Sequence, residues 1–142
     1  MSSILPHLTA AACYLGLTAL SWRGRWRGPA LDQPPAGLTA WGRIWLLVAL
    51  LAHGASLAQE IFPGAMMHFS FSIALSLILW LAIAFYWIES FYARMEGLQM
   101  LSLPLATVAV LMPVAFPGQH ILANADSLQF RAHFLIAMLA YS

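Results

Sequence analysis

The stretch Phe69-Ser70-Phe71-Ser72-Ile73-Ala74-Leu75-Ser76-Leu77-Ile78-Leu79-Trp80-Leu81-Ala82-Ile83-Ala84-Phe85-Tyr86-Trp87-Ile88 carries no charged side chain from end to end. An uncharged apolar run of about 20 residues matches a hydrocarbon core of about 30 Å at a helical rise of about 1.5 Å per residue. A helix is the conformation that lets such a run satisfy its own backbone polar groups away from water. The run therefore reads as a membrane-spanning helix. Composition agrees: 62% of the 142 residues are hydrophobic and only 8% are charged, a balance that would leave very large apolar patches on any soluble globule. The expected fold class is all-α, a polytopic bundle of transmembrane helices.

Three comparable runs lie outward from this one, at about Ile4 to Trp22, Trp41 to Phe62 and Leu98 to Phe116, which makes four full spans. A fifth begins near Phe130, and His133-Phe-Leu-Ile-Ala-Met-Leu-Ala-Tyr141-Ser142 extends it by only about two turns, too little to cross a bilayer. Residues 1–142 thus read as a single membrane domain, the amino-terminal part of a longer protein. Pro104 and Pro113 are expected near the two ends of the fourth span, where a missing backbone donor is tolerated. Cys13 is the sole cysteine, so no disulfide can form within the chain, and burial as a small hydrophobe is its expected role.

Orientation follows from the basic residues, which number six and are all arginine. Arg23, Arg25 and Arg27 fall in the Gly- and Pro-rich connection Arg23 to Gly37. Arg43 begins the next helix, and Arg94 lies in the connection Glu89 to Gln99. The connections Phe62 to His68 and Pro117 to Gln129 carry almost no basic residues. The positive-inside rule puts the first set in the cytoplasm and the amino terminus outside. Trp22, Trp26, Trp41, Trp45 and Trp87 map to the same cytoplasmic ends, as indoles at headgroup level should, and Trp80 lies deeper. Met1-Ser2-Ser3 has no basic n-region, so the first span is expected to stay as an anchor.

Chemistry rests on the histidines. His53 falls about midway along the second span, where a charged side chain costs about 2–3 kcal/mol or more, so it is expected to be neutral and to face protein or a polar cavity. His53, Ser56 and Glu60 recur at three and four residues and form one polar stripe. Two readings of His53 stand side by side: a ligand for haem iron, and a hydrogen bond between helices. His133, at the start of the fifth helix, is either a ligand or an interfacial side chain with its polar tip in water. His7, His68 and His120 fall at or near the outer face, where solvent accounts for them.

The run Phe69 to Trp80, then Gly97-Leu-Gln-Met-Leu-Ser-Leu-Pro104, then a short outer loop and His133 with Tyr141-Ser142 eight residues on, resembles the CcsA-like cytochrome c assembly family in its HemX/YpjD branch. The similarity covers most of the chain from about Trp41, and His53 also looks like the histidine found in that span of YpjD-type proteins. The resemblance implies about eight spans, haem as cofactor, and apocytochrome c or other assembly proteins as partners. It implies iron ligation by His133 or His53 and neutralisation of a propionate by Arg131, which equally suits an interfacial anchor. Departures are the lack of a tryptophan-rich outer motif and a second outer histidine that would lie beyond Ser142. The activity implied is binding rather than bond chemistry.

A second class of function reads the stripe differently. His53, Ser56 and Glu60 would line the path of a small-solute or ion permease subunit, or the chain would be a membrane scaffold for a partner protein. Hydrolytic chemistry finds no Ser/His/Asp set, Gly-rich phosphate loop or His-Glu-x-x-His pattern. Nucleic acid is not an expected partner either, since there is no lysine and the arginine cluster is explained by topology.

Overall fold

The computed structural model describes residues 4–26, 37–63, 67–93, 96–117, 120–121 and 127–142. Five helices are present among them: α1 (Leu5–Trp26), α2 (Ala40–Ile61), α3 (Phe71–Glu89), α4 (Glu96–Ala115) and α5 (Leu128–Ala140). Hydroxyl side chains that precede the apolar runs start three of them. Thr39, Ser70 and Ser127 accept hydrogen bonds from the backbone N–H groups of Gly42, Ile73 and Phe130 and so cap α2, α3 and α5, satisfying donors that the first turn leaves free.

α1 packs against α2 and α4, and α3 packs against the same two, so the four long helices close into a ring. The centre of the ring is filled by Ala10, Tyr14, Leu17, Leu46, Ala49, Leu50, Ile83, Leu103, Ala106 and Val110. A second apolar cluster, Leu57, Ile61, Met67, Ile73 and Leu77, lies toward one end and receives Phe130, Phe134 and Met138 of α5. At that end β1 (His68–Phe69) pairs antiparallel with β2 (His120–Ile121), His68 opposite Ile121 and Phe69 opposite His120. We call this the hairpin end, and the end where α1 finishes and α2 begins the arginine end.

Three helices are long and apolar enough to cross a bilayer: α2, α3 and Gly97–Ala115 of α4. The expectation of four full spans is therefore supported by composition in three. α1 has the same 22 residues as α2, but Pro6, His7, Thr9, Tyr14, Thr18 and Ser21 interrupt its apolar residues. α5, with 13 residues, is about 20 Å long and does not span. The protein is a membrane protein whose exposed apolar side chains on α2, α3 and α4 face the lipid bilayer.

Several boundaries differ from expectation. α1 continues to Trp26, so Arg23 is helical rather than in the connection, whose residues 27–36 lie outside the described ones along with 64–66, 94–95, 118–119 and 122–126. α4 begins at Glu96, which leaves Pro104 near its middle instead of its end. The helix runs through both prolines; Pro104 has no N–H to offer the Met100 carbonyl, and the hydroxyls of Ser102 and Thr107 donate to the carbonyls of Leu98 and Leu103, each one turn back in the same helix.

Candidate functional site

The site is built on one face of α1. His7, Tyr14 and Ser21 recur every seven residues, close to two helical turns, and so project from the same side at intervals of about 10 Å. Each meets a polar group from another helix, and the three rungs divide the bundle into layers.

The central rung holds His53, which is fully buried. Its Nδ1 lies 3.3 Å from the Tyr14 hydroxyl of α1 and its Nε2 lies 2.9 Å from the Ser76 hydroxyl of α3. A neutral imidazole offers one donor and one acceptor, and each hydroxyl can play either part, so both tautomers are satisfied. The Tyr14 ring also meets the imidazole edge-on, with centroids 5.8 Å apart. The expectation that His53 is buried between helices with a polar neighbour is met twice over. Both ring nitrogens thus take part in hydrogen bonds between helices, as one of the two readings of this residue expects.

At the arginine end Ser21 accepts from the Gln99 amide of α4 at 2.6 Å, and the Gln99 carbonyl oxygen accepts from the Tyr86 hydroxyl of α3 at 3.3 Å. Beside this rung the Arg43 guanidinium donates to the Ser90 carbonyl at 2.6 Å and stacks on Phe91, 4.7 Å from the ring centre. The Trp87 indole N–H donates to the Arg43 carbonyl at 3.0 Å. The α2–α3 seam is thus fastened at this end by side chains that sequence alone ties only to topology.

At the hairpin end His7 faces Glu60 of α2, with Nε2 and Oε1 3.9 Å apart. His7 is buried, contrary to its expected solvation. The signal for this was its spacing to Tyr14 and Ser21. The stripe His53, Ser56 and Glu60 is used for helix pairing: the Ser56 hydroxyl donates to the His53 carbonyl of its own helix at 2.7 Å, His53 bridges α1 and α3, and Glu60 meets His7.

His133 and Arg131 lie on α5, which packs against α3 through Phe130, Phe134 and Met138. The Phe134 ring meets Phe69 edge-on at 4.5 Å. His133 is exposed. Arg131 stacks over Phe62, 5.2 Å from the ring centre. Residues two apart on a helix do not share a face, so Arg131 and His133 point in different directions, and the stacked guanidinium matches the anchor reading of Arg131 more closely than a propionate contact beside His133. The structure does not draw His53 and His133 into one constellation. Among the described residues no group of three or more His, Cys, Asp or Glu side chains could hold a metal ion. For haem, the fit is one exposed axial imidazole, that of His133.

The fold and the site together define a membrane helix bundle pinned by buried polar rungs. No family of proteins, curated protein or solved structure matches the chain.

Proposed function

We infer that the protein handles haem at the hairpin end of the bundle, as a cytochrome c assembly component of the CcsA-like type. The observation that carries this reading is the exposed imidazole of His133 on a helix docked against α3. A bound haem would supply an iron centre for one-electron chemistry. His133 would hold the iron, and the exposed apolar side chains of α5 would line the haem's site. His53 supports the slot from within by holding α1, α2 and α3 together. On this reading no bond is made or broken by the protein's own side chains, and the partners are the bilayer, apocytochrome c or other assembly proteins.

Replacing His133 with alanine should remove most of the haem that co-purifies with the full-length protein, read as pyridine haemochrome per polypeptide. His120→Ala should leave it unchanged. Equal haem in wild type and the His133 variant would take His133 out of the site.

The resemblance implies a bacterial inner membrane, and the arginine distribution supports an orientation with the amino terminus and the hairpin end outside. In a Cys13→Ala background, a cysteine at Gln119 should react with an impermeant maleimide in intact cells, and a cysteine at Gly37 only after the cytoplasm is opened. The reverse pattern would invert the orientation.

A further inference from the structure

His7 is an anomaly in an apolar bundle. Its side chain is 2% exposed, and neither ring nitrogen has a hydrogen-bond partner among the described residues. An imidazole left so costs about 1–3 kcal/mol, which the Tyr14 and Ser21 rungs avoid by meeting partners directly. The nearest polar group is the Glu60 carboxylate, whose side chain is 24% exposed. At 3.9 Å the two are too far apart for a hydrogen bond but close enough to interact strongly as charges away from water.

Few other titratable groups face this pair. From α2 they are Glu60 itself and His53 two turns inward. On α1 the nearest are Cys13 and Tyr14. β1, packed on α2, brings His68; residues 71–76 of α3 and 111–115 of α4 hold none, and from α5 Arg131 stacks on Phe62, two positions beyond Glu60.

The cost of burying the pair therefore depends on how many protons it holds. With one proton it is net neutral, the state a bilayer interior tolerates. With none, the charge sits on the partly wet carboxylate. With two, a buried imidazolium faces a neutral acid, and a desolvated charge without a counter-charge is the worst of the three. We propose that His7 and Glu60 form a proton-binding site that frees the hairpin end of α1 from α2 when the medium is acidified. The ligand is the proton, and the response is a hinge-like opening of the α1–α2 seam above the Tyr14 rung.

Spin labels at Leu5→Cys and Ala58→Cys, both exposed positions, in a Cys13→Ala background of the full chain would report the seam. Lipid nanodiscs expose both faces to buffer, so the result does not depend on orientation or on haem. The distance should be single and narrow at about pH 7.5 and longer by about 5 Å, one helical pitch, at about pH 3, below the ordinary values of both groups. His7→Gln should keep the neutral-pH distance and lose the acid response. Glu60→Gln should open at a higher pH than the parent, because the imidazolium then has no carboxylate at any pH. A parent distance constant over this range, or the same acid opening in His7→Gln, overturns the proposal.

Discussion

His53→Ala should lower the unfolding free energy of the protein by about 2–4 kcal/mol, measured by reversible unfolding in mixed micelles of increasing dodecyl sulfate content. The hydrogen bonds themselves are not the main reason, since polar contacts between membrane helices average only about 0.6 kcal/mol. Most of the loss comes from the cavity left at the junction of α1, α2 and α3 and from the two buried hydroxyls, Tyr14 and Ser76, that lose their partner together. Single-partner controls separate these effects. Ser76→Ala, at a 2.9 Å contact, should cost more than Tyr14→Phe at 3.3 Å, and each should stay below about 1.7 kcal/mol. Wild-type stability in His53→Ala would mean that the ring does not hold the bundle together.

Gly54→Leu should be still more damaging, above about 3 kcal/mol, because it overpacks the α2–α3 seam next to a side chain that cannot move aside. A Cβ at position 54 would lie 3.1 Å from Cζ2, 3.3 Å from Cε2 and 3.4 Å from Nε1 of Trp80. That indole is tied by its N–H to the Leu50 carbonyl at 2.8 Å, so it swings away only by losing the bond. The glycine is what lets the two helices approach, as small residues do in membrane bundles. Gly54→Ala should cost less, about 1–3 kcal/mol. Trp80→Leu should partly rescue Gly54→Leu by making room, and failure of that rescue would place the damage elsewhere than the Trp80 contact.

The spans were legible in the sequence because a bilayer imposes a length and a composition that local counting can read. The apolar runs mark α2, α3 and α4 to within about two residues, and Thr39, Ser70 and Ser127 stand where caps belong. The weaker apolarity of α1 was also visible, in Pro6, His7 and Tyr14, although length alone made it a fourth span. What the sequence could not show was which polar residues meet. Tyr14, His53 and Ser76 are on three helices, and only the ring arrangement brings them together. His7 looked solvated because Glu60 is remote along the chain. The β1–β2 pair is two residues per strand, too short for an alternation signal, and forms because the helix ends bring those segments side by side. The different directions of Arg131 and His133, by contrast, follow from helix periodicity alone.

The seven-residue rungs on α1 bear on how the protein is made. α1 leaves the ribosome before α2, α3 and α4, yet Glu60, His53, Ser76 and Gln99, which its polar face and the rungs built on it require, all come later. Until they arrive, insertion of α1 into lipid places an imidazole and a phenol in hydrocarbon without partners, so the helix is better held at the membrane surface or beside the translocation machinery. α2 and α3 are more apolar and can enter on their own hydrophobicity. α1, made before the helices that partner its polar face, is thus expected to settle after α2 and α3.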